Sequence, residues 1–287
     1  MHTRSVEEAR AAYAEKIRAL AGLRSPGLLR ALARVPREDF VGPGPWKIVS
    51  LATLGPGYRD TPDADPRHLY DNVLVALDPE RRLNNGEPAA LLRWLDSLAL
   101  APGEQFLHVG CGVGYYTAIA AEAVQPGGRT VGIEIDPELA ERARRNTVGV
   151  AGLEIRGRDG SAAADETFDA VYVNAGATDV LPAWLDLLRP GGRLLLPLTV
   201  SVPNMTSGVG RMLMVRRTAT GYTGEFQGMV GVFHCAGARS EAGEARLRAR
   251  LTPTGLEGAR SLRRDAHAEV GDCWLHGDGF CLSAVRG

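Results

Sequence analysis

The stretch Phe106-Leu107-His108-Val109-Gly110-Cys111-Gly112-Val113-Gly114-Tyr115 decides how this chain is expected to fold. Its apolar start is typical of a short buried strand, and the residues from Tyr115 onward are predicted to form a helix. Three alternating glycines between them allow a sharp turn and let a ligand approach the main chain closely. The free N–H groups and partial positive charge at the start of the following helix suit a ligand carboxylate or phosphate.

Strands and helices are predicted to alternate from this turn onward. We expect strands at 106–109, 130–135, 153–156, 168–174 and 193–198, with helices at 115–123, 137–146 and 182–188, and a turn at 190–192. Strands that alternate with helices at this spacing indicate a parallel sheet covered by helices on both faces. The sequence therefore predicts an α/β fold.

The flanking regions have a different character. Before the glycine turn we expect helices at 6–22, 26–35 and 88–98, a strand at 69–77, and a long irregular loop at 41–67. After residue 200 we expect two antiparallel edge strands at 212–216 and 228–233, an arginine-rich helix at 241–251, and a hairpin of 273–275 with 280–283. The predicted organisation is an N-terminal helical and lid region at 1–87, a core at 88–236 and a C-terminal extension at 237–287.

Composition excludes several classes of protein. Of the 287 residues, 45% are apolar and 23% are charged, which excludes wholesale disorder, a fibrous repeat and a coiled coil. The formal net charge of −1 provides no field that would attract nucleic acid or an anionic membrane. The charged N-terminus has no apolar signal core, and no apolar run approaches the ~20 residues of a membrane span. We expect a cytoplasmic protein.

The cysteines do not indicate a metal site or a disulfide framework. Four cysteines are spread over a long chain without a CxxC pair. Cys273, His276 and Cys281 are close in sequence, but a structural zinc site needs four ligands. The sequence therefore predicts no metal.

The glycine spacing distinguishes two classes of cofactor. A dinucleotide site has the pattern G-x-G-x-x-G/A, which requires glycine or alanine at position 115, where this chain has Tyr115. The pattern G-x-G-x-G is typical of folds that bind S-adenosylmethionine. Glu134 ends the next predicted strand, where a carboxylate can accept hydrogen bonds from both ribose hydroxyls. We expect Gly110, Gly112, Gly114 and Tyr115 to line this site.

Other candidates have a structural alternative that the sequence leaves open. Asp159 and Gly160 can meet the adenine or form a common turn, and Asn174 can contact the cofactor or cap its strand. His108 can contact the cofactor, pack in the core or act as a base. On the acceptor side, Asn84 and Asn85 can hold a carboxylate or cap the next helix, and Tyr70 can line a lid or pack.

Several segments together resemble one enzyme family. They are Val35–Val41, Tyr70-Asp71, Gly112–Tyr115, Arg158-Asp159-Gly160, 168–176 and 188–194. In their order along the chain and in their residues they resemble motifs of the class I S-adenosylmethionine-dependent methyltransferases, and more narrowly of the protein-L-isoaspartate O-methyltransferases. The resemblance covers about residues 26–236 and implies a doubly wound, seven-stranded, mostly parallel sheet. The chain departs from the family at His108, where an acid is usual, and at Gly86, where a serine is usual.

The resemblance implies methyl transfer from S-adenosylmethionine to a carboxylate of a peptide, protein or small metabolite. A carboxylate is ionised at neutral pH and needs no general base, so no catalytic residue is assigned. The alternatives are a methyltransferase for small-molecule hydroxyl, amine or thiol groups, and a cofactor-binding scaffold without catalysis. Tyr115 disfavours a nicotinamide dehydrogenase. The oligomeric state is left open.

Overall fold

The computed structural model describes residues 5–52, 57–162, 165–251 and 259–285. Their backbone divides into two compact units, each of which draws on several stretches of the chain. The first unit takes its residues from 1–104, 111–132 and 136–156. The second takes its residues from 105–110, 133–135 and 157–287.

Helices begin where the sequence offers a capping side chain or a proline that is tolerated in the first turn. Ser5 and Glu8 form a reciprocal capping box, and the carboxylate of Asp136 accepts hydrogen bonds from the next helical N–H groups. The described helices are α1 (Val6–Ala21), α2 (Pro26–Arg34), α3 (Glu38–Val41), α4 (Pro88–Ser97), α5 (Tyr115–Ala123), α6 (Pro137–Asn146), α7 (Pro182–Asp186) and α8 (Glu241–Arg250). None of them combines the length and apolar character that crossing a membrane demands.

The described strands form one small sheet and one large sheet. They are β1 (Lys47–Val49), β2 (Arg59–Asp60), β3 (Leu74–Asp78), β4 (Leu83–Asn84), β5 (Gln105–Val109), β6 (Arg129–Glu134), β7 (Leu153–Gly157), β8 (Phe168–Val173), β9 (Leu188–Ser201), β10 (Ser207–Arg217), β11 (Tyr222–Phe233), β12 (Ser261–Arg263), β13 (Cys273–Gly277) and β14 (Phe280–Ser283). The small sheet has the order β2-β1-β3-β4. The large sheet has the order β13-β14-β12-β11-β10-β9-β8-β5-β6-β7.

The second unit contains the central strands of the large sheet. β5 runs parallel to β8, and β8 runs parallel to β9. Leu107, Val171 and Leu194 are buried at adjacent register positions of these three strands, so apolar side chains fill the middle of the sheet. β10 is antiparallel to both β9 and β11.

The first unit packs helices around buried leucines and alanines. α2 contacts both α1 and α5, and α4 contacts α1. Ile17 of α1, Leu28 of α2 and Ala118 of α5 are fully buried. The small sheet has its own apolar cluster around Trp46 and Val75.

The structure confirms the α/β class, and each core strand and helix predicted from 88 to 188 lies within a few residues of its expected place. The strand expected at 69–77 is shorter, because 66–69 forms a 3-10 turn before β3 begins at Leu74. The interpretation of 41–67 as irregular holds for most of its described residues, but β1 and β2 form there as short strands that pair with each other. The predicted domain boundaries after residues 87 and 236 stay a prediction.

The large sheet has ten strands among the described residues, where seven were expected. The edge strand expected at 228–233 belongs to the longer β11. On the side away from β10, β11 pairs with β12, so the C-terminal strands extend the sheet. The predicted turn at 190–192 lies within the long strand β9. There Phe168 pairs with Leu188 and Ala170 with Arg193, so the residues between Leu188 and Arg193 bulge out of register.

Candidate active site

Gly110 directly follows β5 at the carboxyl edge of the sheet in the second unit. Its φ of 76° lies in the left-handed region, and a Cβ there would lie 3.3 Å from the carbonyl oxygen of Asn174. Its N–H donates to the carbonyl oxygen of Ile133 at 2.8 Å, while the N–H of Asn174 donates to that of Val109 at 2.8 Å. Both the backbone conformation and the close approach therefore require glycine at this position.

Glu134 ends β6 at the same edge. The residue is only 7% exposed although it carries a carboxylate. Its carbonyl oxygen accepts a hydrogen bond of 3.0 Å from the N–H of Arg158, and that bond places the segment 158–160 beside the strand end. A carboxylate oxygen can accept more than one hydrogen bond, and ribose hydroxyls are suitable donors.

Asp159 and Gly160 form the turn that follows β7. One carboxylate oxygen of Asp159 accepts from the N–H of Ser161 at 2.8 Å, which stabilises the turn itself. A Cβ on Gly160 would lie 2.3 Å from Cγ1 of Val109, so only glycine fits against the end of β5. The indole N–H of Trp184 donates to the carbonyl oxygen of Gly160 at 2.8 Å. The turn is therefore fixed from two sides.

A segment that sequence reasoning missed lies against Asp159. A Cβ on Gly237 would lie 2.8 Å from the second carboxylate oxygen of Asp159. Burial raises the pKa of the nearby Cys235 thiol to about 12, and the carboxylates of Asp159 and Glu134 add to this shift. The Arg239 guanidinium acts in the opposite direction but does not outweigh burial, so Cys235 is a neutral thiol. Its isolated position in the sequence carries no motif that would have identified it.

Arg239, which the sequence did not identify as a candidate either, holds the loop after β8 in place. Its guanidinium donates to the carbonyl oxygens of Gly176 and Thr199 at 2.9 and 3.1 Å, and it forms a 2.7 Å ion pair with Glu244. Burial opposes the ionisation of Glu244, but hydrogen bonds from Ser201 and arginine side chains outweigh it and lower the pKa to about 2. The loop that begins at Asn174 is thereby tied to α8.

Asn174 lies where the loop leaves β8. Its side-chain oxygen accepts a hydrogen bond of 3.1 Å from the hydroxyl of Tyr172. The residue is half-buried, and its main-chain N–H continues the ladder to β5. The side chain is oriented by a neighbour on its own strand, and its role toward a cofactor stays a prediction.

His108 lies inside the sheet of the second unit and is fully buried. Its ring stacks on that of Tyr172, with centroids 5.1 Å apart and planes 9° from parallel, and the ring of Phe106 is 6.2 Å away. Burial lowers the pKa of its imidazole to about 3, so the ring is neutral at pH 7. This environment favours the packing alternative over a role as general base.

In the first unit, Gly114 caps the N-terminus of α5 with a φ of 91°. Its N–H donates to the carbonyl oxygen of Cys111 at 3.0 Å, which closes the glycine turn. A Cβ on Gly112, whose φ is 56°, would meet no atom within 4 Å, so the main chain is open to approach there. The first turn of α5 therefore presents main-chain N–H groups next to an accessible glycine.

Tyr115 is buried in a group of aromatic rings around Arg37. The Arg37 guanidinium lies 6.0 Å from the centre of the Tyr115 ring, and the Phe40 ring packs on the same tyrosine at 5.4 Å. Arg37 is fully buried, and it donates to the carbonyl oxygens of Leu69 and Val73, each at 2.7 Å. From the sequence, Arg37 was recognised only as a part of the segment Val35–Val41. Its structural role is to connect α3 with the approach to β3.

Asn84 and Asn85, which are predicted to bind the methyl acceptor, lie in a tight turn before α4. The side-chain oxygen of Asn84 accepts from the N–H of Gly86 at 2.9 Å, and Gly86 has a φ of 76°. Asn85 is 7% exposed, and its side-chain nitrogen finds no acceptor among the described residues. The hydroxyl of Tyr116, in the first turn of α5, donates to the carbonyl oxygen of Gly86 at 3.1 Å. A buried amide without an acceptor is a candidate ligand-binding group.

Tyr70 is also buried, but its hydroxyl is already hydrogen-bonded. It donates to the carboxylate of Glu38 and accepts from Arg10 at 2.8 Å. Burial and the adjacent Glu38 carboxylate raise the pKa of this phenol. The described contacts therefore place Tyr70 in a network that joins α1 and α3, and its predicted role toward the acceptor stays a prediction.

The structure thus groups the predicted residues into two sets. In the second unit, Gly110, Glu134, Asp159, Gly160 and Asn174 lie at the carboxyl ends of adjacent strands, where ligands bind in open α/β sheets. In the first unit, the turn at 84–86 contacts the helix that follows Gly112 and Gly114.

Comparison with known proteins gives one consistent family. Residues 83–213 match the family model described as "Protein-L-isoaspartate(D-aspartate) O-methyltransferase (PCMT)". The chain is 34% identical to the protein-L-isoaspartate O-methyltransferase of Aeropyrum pernix, over 67% of each chain. It is 36% identical to protein-L-isoaspartate O-methyltransferase 1 of Anaeromyxobacter sp. strain Fw109-5, over 64% of this chain and 78% of that one.

Solved structures agree on the fold. One protein-L-isoaspartate O-methyltransferase has a TM-score of 0.64 at 18% identity, covering 80% of this chain and 66% of its own. A second, from Plasmodium falciparum and solved with S-adenosyl-L-homocysteine, has a TM-score of 0.58 at 16% identity, covering 79% of this chain and 97% of its own.

Proposed function

The chain belongs to the protein-L-isoaspartate O-methyltransferase family, and we propose that it transfers a methyl group from S-adenosylmethionine to a carboxylate of a protein or peptide. The observation that carries this proposal is the buried carboxylate of Glu134, which ends β6 beside Gly110, the glycine that follows β5. The relatives named above are enzymes of this class.

The residues at the strand ends suit the donor. Glu134 has a carboxylate that can accept hydrogen bonds from ribose hydroxyls, and Gly110 beside it has no side chain. Asp159, whose carboxylate also supports its own turn, is the candidate for the adenine amino group. When bound, S-adenosylmethionine supplies an electrophilic methyl group on a sulfonium centre.

The acceptor is best explained as a carboxylate. An oxygen that is already ionised at neutral pH needs no base, and the imidazole next to the glycine turn, that of His108, is buried and stacked. A hydroxyl or amine acceptor requires a group that takes a proton at neutral pH. The chain's own contribution is then to bind and orient the acceptor.

The turn at 84–86 is the proposed acceptor-binding segment. The side-chain nitrogen of Asn85, buried and without an acceptor among the described residues, can donate to a carboxylate. Gly86 lacks a hydroxyl that could add a second donor, so recognition of the acceptor rests on main-chain groups and the asparagines. We infer that isoaspartyl peptides are among the acceptors, as the names of the relatives suggest.

The test is methyl transfer from labelled S-adenosylmethionine to an isoaspartyl peptide, with the matched aspartyl peptide as control. We expect label in the isoaspartyl peptide that is released as methanol at alkaline pH, because a methyl ester is base-labile. Alkali-stable label would contradict a carboxylate acceptor. Absence of label from both peptides and from a mixture of aged proteins, with the binding of S-adenosylhomocysteine intact, would contradict catalysis on proteins.

A further inference from the structure

The C-terminal strands bring two cysteines and two histidines together. One ligand atom from each of His267, Cys273, His276 and Cys281 lies within 4.8 Å of the other three. The sequence shows only three of them as neighbours, and His267 becomes the fourth because the chain turns back before β13. All four belong to the second unit, and they lie beyond residue 213, where the match to the family model ends.

The hairpin geometry explains the convergence. His276 and Cys281 are directly paired across β13 and β14, so their side chains share one face. Cys273 is three positions from His276 and would point to the opposite face of a regular strand. A register shift between Cys273 and Leu275 interrupts the alternation, so the two side chains reach the same place.

The ligand atoms are oriented toward one another. Nε2 of His267 lies 3.6 Å from Sγ of Cys273, and the rings of His267 and His276 have centroids 4.8 Å apart. Nδ1 of His276 is buried and has no hydrogen-bond partner among the described residues. An imidazole nitrogen that is buried without a partner, next to two sulfurs, is suited to a metal ion.

Neighbouring groups orient two of the other three ligands, His267 and Cys273. Nδ1 of His267 lies 2.9 Å from the carbonyl oxygen of Asp265, which selects the tautomer whose lone pair is on Nε2. The N–H of Val270 donates to Sγ of Cys273 at 3.4 Å, an arrangement that favours a thiolate.

A positive charge already points into the cluster. The guanidinium of Arg263 lies 2.9 Å from Nε2 of His267 and 3.7 Å from Sγ of Cys273. The side chain of Arg263 is 32% exposed, and the carboxylate of Asp272, 3.8 Å away, offers it another partner. The ligand atoms therefore already interact with a cation, and Arg263 has to move toward Asp272 when a metal ion takes that position.

We propose that His267, Cys273, His276 and Cys281 bind a structural zinc ion. Two thiolates and two imidazoles in a four-ligand set favour Zn²⁺, and a site with four protein ligands leaves no position for a substrate. Tetrahedral zinc with these ligands separates neighbouring ligand atoms by about 3.3–3.8 Å, so side-chain shifts of about 1 Å suffice. Binding forms two Zn–S and two Zn–N bonds, releases one proton from each thiol to solvent, and involves no electron transfer.

The role that follows is stabilisation of the sheet's C-terminal edge. β12, β13 and β14 are short, and among the described residues β12 pairs with β11 at Tyr222 and Thr223. A zinc ion would connect the hairpin to the segment before it and so stabilise these strands.

The test uses the full-length protein without an affinity tag, purified under reducing conditions and without chelator. We expect elemental analysis to find about one zinc per chain, and Cys273→Ser and His276→Asn to reduce it to background. Cys235→Ser and His68→Asn are the matched controls and should retain the zinc. Chelation should lower the thermal midpoint of the wild-type protein and leave that of folded Cys273→Ser unchanged.

A second measurement applies if the variants do not fold. Cobalt-substituted wild-type protein should show intense thiolate-to-cobalt absorption, and zinc-edge X-ray absorption should give about two sulfurs at about 2.3 Å and two nitrogens at about 2.0–2.1 Å. The proposal fails if the reduced protein takes up no zinc when dialysed against it, if Cys273→Ser retains full zinc, or if the native protein holds a Cys273–Cys281 disulfide in place of the metal.

Discussion

The hydroxyl of Tyr116 donates a hydrogen bond of 3.1 Å to the carbonyl oxygen of Gly86. The tyrosine lies in the first turn of the helix that follows the glycine turn, and the glycine ends the turn that carries Asn84 and Asn85. This hydrogen bond therefore links the proposed acceptor segment to the helix whose N-terminus belongs to the glycine motif. Removal of this hydrogen bond should weaken binding of the methyl acceptor more than binding of the methyl donor.

We predict that Tyr116→Phe raises the KM for the peptide acceptor about fivefold, because the loss of one hydrogen bond costs about 1 kcal/mol. Steady-state kinetics with the acceptor varied at saturating donor would measure it. The affinity for S-adenosylhomocysteine is the internal control and should stay within twofold. An unchanged KM would show that the turn at 84–86 does not contribute to binding of the peptide acceptor.

Glu134→Gln should weaken the binding of S-adenosylhomocysteine by about 1–3 kcal/mol, because an amide accepts hydrogen bonds less strongly than a carboxylate. Isothermal titration calorimetry would measure the change. Glu138→Gln is the matched control, since Glu138 is exposed in the first turn of α6. Equal affinities of both variants and wild type would reject the ribose role of Glu134.

Gly110→Ala should destabilise the protein by more than the roughly 1–2 kcal/mol that a left-handed alanine costs, since its Cβ would also press on the carbonyl oxygen of Asn174. Gly149→Ala is the matched control, because Gly149 has a φ of 83° and no neighbour within 4 Å of an added Cβ. Urea unfolding would compare the two. If the free energy of unfolding falls by the same amount in both variants, the contact with Asn174 does not add to the cost of the substitution at position 110.

His108 should make stability depend on pH. Its folded pKa of about 3 lies below the unfolded value of 6.5, so the unfolded chain binds the proton first as pH falls. The stabilisation is complete above pH 6.5 and is lost as pH falls toward 3. Between pH 7 and 5 the wild type should lose about 2 kcal/mol more than His108→Gln, which carries no titrating ring.

Urea unfolding at several pH values would test this, and comparing the slopes removes the contribution of other titrating groups. Parallel slopes for wild type and His108→Gln would show that the imidazole is protonated inside the sheet. The same result would reopen its role as a base.

The fold of the core was predictable because its signals are local. Val109 and Gly110 mark a strand that ends in a turn, and Asp136 followed by a proline marks the start of α6 within a few residues. The first part of the chain was harder. β1 and β2 are only two or three residues long, and their stability comes from pairing with residues that are distant in sequence.

The sequence by itself determined the glycine turn, the acid at position 134 and the alternation that makes the sheet, since each depends on residues within one or two turns of chain. Only the tertiary structure decided that His108 is buried and neutral, that Tyr116 fixes Gly86, and that His267 joins the cysteines of the hairpin. Those outcomes depend on which distant segments meet and on how a strand bulges. Burial and convergence arise from packing, which the local pattern of side chains does not specify.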